Sequence, residues 1–239
     1  MISIQQVSKV YGRSTLAVND LSFDVENGSI VGFIGPNGAG KTTTLKMITG
    51  IVSPTKGDII LNGHNIQTDA IAAKREFGYV SDSPDLFLRL KGIEYLNFVA
   101  DIYGMDSQLR KQRIESLAAD FEMSSALSDK IVSYSHGMRQ KMMIMGVLVH
   151  DPDIWILDEP LTGLDPQSSY VLKEMMRKRT QAGKSVLFST HVLEVAEKLC
   201  DKIIIINHGT LLYDGTLEAL KTQYENLSLE EIFLEVTQR

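Results

Sequence analysis

"GPNGAGKT" (35–42) carries the strongest structural signal in this sequence. It fits the pattern G-x-x-x-x-G-K-[ST] and follows the apolar run "SIVGFIG" (29–35), which is typical of a buried strand. The segment after it, "KTTTLKMITG" (41–50), is typical of a helix closed by Gly50. Glycines in such a loop let backbone N–H groups turn towards phosphate oxygens, and the helix N-terminus adds a partial positive charge. The stretch therefore predicts a phosphate-binding loop between a strand and a helix.

The residue types in this loop predict how a nucleotide is held. Lys41 is expected to reach the β- and γ-phosphates, and the Thr42 hydroxyl is expected to coordinate Mg²⁺. A glycine-rich turn that happens to precede a helix is the alternative, and the flanking strand and helix argue against it. The remaining nucleotide-binding positions are Gly35, Pro36, Asn37, Gly38, Ala39, Gly40 and Thr43.

Two adjacent acidic residues end another predicted strand, "DIWILDE" (153–159). Consecutive side chains of a straight strand point to opposite faces, so Asp158 and Glu159 are expected to do different jobs. At the carboxyl edge of a parallel sheet both can reach a ligand in the crevice. Asp158 is therefore predicted to bind Mg²⁺ through water, and Glu159 to act as general base on the attacking water. The alternative, an acidic turn before Pro160, fits a chain without the phosphate loop.

Strand-like and helix-like segments alternate along the chain, which predicts an α/β fold with a largely parallel sheet. A helical segment (167–182) precedes the strand-like "KSVLFST" (184–190), and two apolar runs around "NHG" (207–209) predict a hairpin. Ser228 and Glu231 stand at capping-box spacing before a last amphipathic helix.

Strand signals disappear between roughly 88 and 149, which predicts a helical block inserted into the α/β core. The apolar residues of this block that recur at helical spacing are Ile114, Leu117, Ala118 and Phe121.

The composition excludes several classes of protein. The 239 residues suit one large α/β domain, or a domain with an inserted subdomain. A net charge of −6 argues against a general nucleic-acid-binding surface, and the one cysteine, Cys200, excludes an internal disulfide. No signal peptide is expected from "MISIQQVSKVYG" (1–12), and no apolar run approaches the ~20 residues of a membrane helix. Any membrane work is expected to belong to a partner.

Together these motifs resemble the nucleotide-binding subunit of an ABC transporter over nearly the full length, from Tyr11 to "SLEEIFLEV" (228–236). The resemblance implies a P-loop NTPase core with a mostly parallel sheet, antiparallel β elements near the N-terminus and an inserted helical subdomain. One ABC-type ATP-binding domain over 1–239 is expected. Its implied parts are a RecA-like core with a β subdomain in about 1–87 and 150–225, a helical signature subdomain in about 88–149, and a C-terminal helix in about 226–239.

"YSHGMRQK" (134–141) resembles the family's signature motif, usually LSGGQ. The resemblance implies that Ser135, His136 and Gly137, at a helix N-terminus, bind the γ-phosphate of an ATP held by the other subunit of a dimer. His136 replaces the first glycine of the motif, and Met138 replaces its glutamine. A Cβ atom at position 136 restricts the backbone but leaves the N–H available, so the contact with phosphate is expected to survive.

Four further positions receive roles from the resemblance. Tyr11 is similar to the aromatic residue that stacks on adenine, although such a tyrosine alone is more often a packing residue at a strand edge. Asp165, in "TGLDP" (162–166), is expected at the dimer interface, and His191 resembles the catalytic switch histidine that hydrogen-bonds the γ-phosphate. Asp82 stands where the family carries the Q-loop glutamine. Its charge beside the triphosphate opposes binding, so it is either a Mg²⁺ ligand or mainly a relay to the membrane partner.

The implied activity is ATP hydrolysis by a transporter subunit that binds ATP and Mg²⁺. Its implied partners are a second copy or a paralogous ATP-binding subunit, and integral membrane permease subunits at the cytoplasmic side of the cell membrane. The signature variant, together with the "SLEEIFLEV" tail, resembles the bacterial drug- and antibiotic-exporter branch more than importers, and no nucleic-acid partner is expected. Two alternatives stay open: a non-transport ABC ATPase of DNA repair or the ribosome, and a regulatory module that holds ATP without turnover. The chain lacks the long coiled coils or tandem cassettes of the first, and its complete catalytic set argues against the second.

Overall fold

Two β-sheets and a set of helices form the fold in the computed structural model, which describes residues 1–12, 14–83, 87–225 and 227–237. The predicted Q-loop stretch and C-terminal segment therefore lie partly outside the described residues, at 84–86 and at 226 and 238–239. In chain order the strands are β1 Ile2–Tyr11, β2 Thr15–Val25, β3 Ile30–Ile34, β4 Lys56–Leu61, β5 His64–Asn65, β6 Phe77–Val80, β7 Ile154–Asp158, β8 Ser185–Thr190, β9 Lys202–Asn207 and β10 Thr210–Thr216. The helices are α1 Lys41–Ile48, α2 Ala70–Glu76, α3 Gly92–Ile102, α4 Ser107–Asp120, α5 His136–Val149, α6 Pro166–Gln181, α7 Leu193–Leu199, α8 Leu217–Gln223 and α9 Leu229–Thr237.

The larger sheet has the strand order β10-β9-β3-β8-β7-β6. All neighbouring strands in it are parallel except β9 and β10, which form the predicted antiparallel hairpin. Every residue of β3, β7 and β8 is buried, because both faces of the sheet are covered. The predicted α/β class with a mostly parallel sheet is confirmed.

Alternate residues of the central strands enter two different hydrophobic cores. Ile154 and Ile156 pack on one side of the sheet with α1 and the apolar side chains of β1, β2 and β4. Trp155 and Leu157 pack on the other side with the helices of the inserted block and with α6 to α9. This alternation is the period of two expected for a strand, and it places the phosphate-loop helix α1 inside the protein.

The smaller sheet is antiparallel, with the order β2-β1-β4-β5. It contains the antiparallel elements expected near the N-terminus. The pairing of β1 with β2 shifts register between Ile4 and Val10, so the long hairpin is irregular. Its buried face covers α1, which lies between the two sheets.

The helical block lies between β6 and β7 and consists of α3, α4, a short 3₁₀ helix (Ile131–Ser133) and α5. Three of the four residues at the predicted helical spacing, Ile114, Ala118 and Phe121, are buried, and Leu117 packs partly buried against the same core. The predicted helical character of this block is therefore confirmed.

Asp151 fastens the helical block to the sheet side of the protein. Arg113 of α4 donates to its carboxylate over 3.3 Å, Lys184 pairs with it at 3.2 Å, and Arg179 of α6 also pairs with it. Burial opposes the charge of this carboxylate, but Arg179 and Lys184 together hold the pKa of Asp151 below its usual value. The Arg179 guanidinium also lies 4.4 Å from the ring centre of Trp155. Helices far apart in sequence thus meet at one ion cluster.

The C-terminal helix α9 begins with the predicted capping box. The Ser228 backbone N–H donates to Glu231 Oε2 over 2.9 Å, and the Glu231 N–H donates to Ser228 Oγ over 3.3 Å. Leu229 and Ile232 are buried on one face of the helix. Within the part of the chain that the structure describes, no helix combines the length and apolar character needed to cross a membrane.

Candidate active site

The predicted phosphate-binding loop lies between the end of β3 and the start of α1. Gly38 and Gly40 have left-handed backbones, with φ of +79° and +103°. A Cβ atom on Gly40 would lie 2.7 Å from the carbonyl oxygen of Ala17, so only glycine fits there. The loop lines a cavity of about 290 Å³. The other lining residues of this phosphate cavity are Ala17, Asp82, Glu159 and the first residues of α1.

Lys41, the first residue of α1, lies over this loop. Its Nζ atom donates to the carbonyl oxygens of Gly35, over 2.7 Å, and Pro36, over 3.2 Å. The pKa of Lys41 is lowered by burial, and the nearby carboxylates of Glu159 and Asp158 offset only part of this effect. The side chain is thus buried, and it holds the loop through two backbone carbonyl oxygens.

Asp158 ends β7 and is fully buried. Its partner in the parallel register is Ser189 of β8, whose hydroxyl donates to Asp158 Oδ1 over 2.5 Å. The pKa of Asp158 is raised, mainly by burial and also by the charges of Asp82 and Glu159. The hydroxyls of Ser189 and Thr42 oppose this shift. The second carboxylate oxygen, Oδ2, is buried without a hydrogen-bond partner.

These residues fit Mg²⁺. A buried carboxylate with an unpaired oxygen, close to a threonine hydroxyl, is a suitable ligand set for a hard divalent cation that takes its other ligands from water and phosphate. Among the described residues there is no group of three or more acidic, histidine or cysteine side chains that would hold a metal ion by itself. Thr42, Asp158 and Asp82 are therefore candidates to hold the ion together with a nucleotide.

Glu159 follows Asp158 in a left-handed conformation, with φ of +49°. Its backbone N–H donates to Ser189 Oγ over 3.0 Å, and its carboxylate Oε2 lies 2.9 Å from His191 Nδ1. Because the chain turns sharply at Glu159, its side chain does not continue the alternation of the strand, and it lines the phosphate cavity. Glu159 therefore faces the phosphate cavity, whereas Asp158 is fully buried and is not among the residues that line it. His191 is exposed and comes directly after β8.

The signature-like residues lie at the start of α5, away from this cavity. Ser135 is the N-cap, and its hydroxyl accepts from the Met138 N–H over 3.3 Å. Ser135 and His136 are exposed, and neither they nor Gly137 line the phosphate cavity of their own chain. The first N–H groups of a helix lack partners within it, so those of His136 and Gly137 have no intrahelical acceptor.

Tyr11 and Asp82 are placed differently from each other. Tyr11 ends β1, its ring is 40% exposed with Lys9 Nζ 5.1 Å from the ring centre, and it does not line the phosphate cavity. Asp82 is exposed, follows β6 closely and does line that cavity. The structure thus brings Asp82 to the loop and leaves Tyr11 on the surface beside a lysine.

Asp165 caps α6 and joins it to α5. Its carboxylate accepts from the Ser168 N–H over 2.9 Å and from the Ser168 hydroxyl over 2.8 Å, and it pairs with Lys141 Nζ at 2.7 Å. The Lys141 ammonium, together with the Ser168 bonds, holds the pKa of Asp165 well below its usual range. In the single chain this residue therefore has a local partner of opposite charge.

Ser189 and Lys141 are functional candidates that the sequence patterns do not single out. Ser189 bonds both to Asp158 and to the Glu159 backbone, and Lys141 pairs with Asp165. A usable signal for Ser189 exists, since it stands two residues before His191 on a strand predicted to neighbour that of Asp158. No comparable spacing points to Lys141.

The phosphate loop lies between β3 and α1, and two acidic residues stand at the end of β7. One strand, β8, lies between β3 and β7 in the sheet. This arrangement defines a P-loop nucleoside triphosphatase. A family model described as ABC transporter matches residues 18–162. The chain belongs to this family and is an ABC-type ATPase, the ATP-binding subunit of a transporter.

Individual relatives agree with this assignment. The chain is 37% identical over 239 residues to the ABC-type transporter ATP-binding protein EcsA of Bacillus subtilis, covering 99% of this chain and 96% of that protein. It is 37% identical over 223 residues to the Nod factor export ATP-binding protein I of Burkholderia orbicola, covering 92% of this chain and 72% of that protein. A solved structure, described as the ATP binding subunit of an ABC transporter, has a TM-score of 0.94 at 33% identity and covers 98% of each chain.

Proposed function

We propose that this ATPase works as a head-to-tail dimer that encloses two MgATP molecules. The observation that supports it most is the separation of two phosphate-binding features in one chain. The loop at Lys41, with Glu159 and His191 beside it, forms one half of a site, and the α5 N-terminus at Ser135 presents exposed N–H groups elsewhere. A second copy, or a paralogous subunit, would place its α5 N-terminus on the ATP bound by the first.

Each side chain of the site has a distinct task in this proposal. Lys41 binds the β- and γ-phosphates, and Glu159 accepts the proton of the attacking water. His191 donates from Nδ1 to Glu159 and so orients that carboxylate. Thr42 and Asp158, with Asp82 as a further candidate, would hold Mg²⁺. When bound, the ion neutralises charge on the phosphate oxygens.

Glu159→Gln provides the test of the dimer. Because glutamine keeps the shape of the side chain but cannot act as a base, ATP should stay bound and intact between the two chains. We expect the molar mass from light scattering to double on addition of MgATP, and to stay at one chain with MgADP or with ATP and excess chelator.

A second substitution, added to Glu159→Gln, tests whether the α5 N-terminus is needed for the dimer. Gly137→Asp puts a negative charge at the α5 N-terminus and should prevent the dimer, since like charges repel and the side chain would also meet the carbonyl oxygen of Gly163. Gly104→Asp is the control for the added charge: its φ is +63°, a conformation that aspartate tolerates better than most residues, and an added Cβ atom has nothing within 4 Å. A dimer that survives Gly137→Asp contradicts the head-to-tail arrangement.

We also infer that the subunit serves export from the cytoplasmic side of the cell membrane. The name of one relative states Nod factor export, and that protein is 37% identical to this chain. The chain belongs to the ABC transporter family as its ATP-binding subunit, and on that ground we assign the substrate path to separate permease subunits.

An exposed apolar groove beside α3 supports docking of these permease subunits. Phe87 and Phe98 have ring centres 5.6 Å apart, and Ile102 remains 64% exposed. They line a cavity of about 380 Å³, the α3 groove, which also includes β6 residues and His150 at the end of α5. Exposed aromatic and aliphatic side chains of this density are typical of a surface that receives a partner. Three residues of β6 line the groove, and Asp82, two residues after the end of this strand, lines the phosphate cavity.

Phe98→Glu tests the α3 groove as the permease site. Glutamate at this position would bury less apolar surface in the complex than phenylalanine does. We therefore expect binding to inverted membrane vesicles of the source cells to weaken about 10- to 100-fold. Flotation of the purified chain with these vesicles measures it. Leu109→Glu, at an exposed apolar site on α4 outside the groove, is the control and should bind as the unchanged chain does. The proposal is contradicted if the Phe98→Glu variant binds the membrane vesicles as strongly as the unchanged chain does. It is also contradicted if the unchanged chain binds protein-free vesicles of the same lipids as strongly as the membrane vesicles.

A further inference from the structure

His136 lies against the loop that follows the catalytic strand. A Cβ atom built on Gly163 would be 2.6 Å from His136 Cδ2 and 3.0 Å from Nε2, so the imidazole occupies the space over this glycine. The next residue of α5 makes a second close approach, because a Cβ atom on Gly137 would lie 2.7 Å from the carbonyl oxygen of Gly163. Two consecutive residues at the helix start therefore pack on one residue of the loop.

Two further contacts join the same elements one turn along α5. Lys141 Nζ pairs with Asp165 at 2.7 Å, and its side chain is 10% exposed. Gln140 is buried, and its Nε2 donates to the carbonyl oxygen of Pro160 over 3.4 Å. The first two turns of α5 are thus attached at several points to residues 160–165, which we call the post-catalytic loop.

We propose that His136 is a positioning residue, which makes the α5 N-terminus and the post-catalytic loop of its own chain move together. This inference rests on the proposed dimer. In that dimer the α5 N-terminus contacts the ATP of the partner, while the post-catalytic loop continues directly from Glu159 of its own site. The imidazole would therefore transmit the occupation of one ATP site to the carboxylate that hydrolyses the other.

The stiffness of the imidazole explains why a side chain at this position transmits movement. The planar ring has only two side-chain torsions and covers the position of a Cβ atom on Gly163, so a rotation of α5 in this rotamer would displace Gly163. Glycine at position 136 would leave this space empty and give the helix start freedom to move alone. The backbone N–H groups that face the partner are the same in both cases, so the grip on the partner's ATP does not depend on the ring.

The kinetic test compares the unchanged chain with His136→Gly and His136→Phe. We expect His136→Gly to lower kcat by about 3- to 10-fold and the Hill coefficient for ATP towards 1, because the two sites no longer communicate. His136→Phe keeps a planar ring over Gly163 and should restore both values to within about twofold. The dissociation constant for ATP at a single site, measured with a fluorescent ATP analogue, should stay within about twofold for both variants.

Three results would overturn this role. An unchanged Hill coefficient in His136→Gly means that the ring transmits nothing, and a raised kcat means that it obstructs the reaction. Loss of the MgATP-dependent dimer when His136→Gly is added to Glu159→Gln means that the ring acts directly on the partner's nucleotide. Failure of Glu159→Gln alone to form a dimer would instead contradict the proposed function, so the two failures are distinguishable.

The contact itself is measured by a double-mutant cycle on stability. Gly163→Ala should lower the Tm by about 3–8 °C more in the unchanged chain than in His136→Gly, because the methyl group meets the ring only in the former. Gly183→Ala is the matched control, since its φ of +80° is nearly that of Gly163 at +79° and a Cβ atom there has nothing within 4 Å. Equal losses in the two backgrounds would show that His136 and Gly163 do not touch.

Discussion

Glu159→Gln should lower the kcat of ATP hydrolysis by about 10²–10⁴-fold and leave the affinity for MgATP within about threefold. Glu159 lies 2.9 Å from His191 and lines the phosphate cavity, which is the place required of a base that acts on water beside the γ-phosphate. Glutamine has the same shape but does not accept the proton. Binding through Lys41 and the loop N–H groups is unaffected by the change, so only turnover should fall.

Continuous detection of released phosphate measures this change, with ATP affinity determined separately by calorimetry. Glu115→Gln, an exposed change of the same type on α4, should retain full activity and serves as the control. A Glu159 variant with more than a tenth of the original kcat would assign the proton to another acceptor.

Lys41→Ala is expected to weaken MgATP binding by about 100-fold or more. The ammonium group would lose charge-assisted hydrogen bonds to two phosphates, and each such bond contributes about 1.5–3 kcal/mol. The carbonyl oxygens of Gly35 and Pro36, which accept from Lys41 Nζ, would also lose their donor, so the loop itself should be less ordered. Calorimetric titration with MgATP measures the affinity.

Lys46→Ala, at the other end of α1, is the control for charge and helix composition and should bind MgATP as before. Circular dichroism of both variants should show the same fold, since α1 is held by apolar contacts between the two sheets. A Lys41 variant that is folded and binds MgATP within threefold of the original affinity would contradict the phosphate assignment.

The parts of the fold that depend on local pattern could be predicted from the sequence. Strands β3, β7 and β8 are short apolar runs bounded by turns, and the hairpin of β9 and β10 turns at the predicted "NHG" (207–209). Strand β2 does not follow from local pattern, because "TLAVNDLSFDV" (15–25) mixes buried and exposed positions irregularly, and its pairing with β1 shifts register. Its position depends on a partner strand, which local composition does not specify.

The candidate site shows the same division. The loop at 35–42 and the acidic pair follow from spacing and residue type, and the role of His191 follows from the resemblance to the family. The left-handed turn at Glu159, the bonds from Ser189 and the packing of His136 on Gly163 depend on strand register and on contacts between segments far apart in the chain. A sequence pattern can name the participants of a site, but it does not fix which neighbour holds each one.

Helix α5 connects two of the proposed binding surfaces, one at each of its ends. It begins at the residues proposed to grip the partner's ATP, and its C-cap, His150, lines the α3 groove proposed for the permease. Its 14 residues make a rod of about 21 Å with no proline to bend it. Thermodynamic linkage makes any effect along this rod reciprocal: if docking in the groove tightens ATP binding by some factor, ATP tightens docking by the same factor. A transported molecule that favours one state of the permease would then change the affinity of this chain for ATP without touching it.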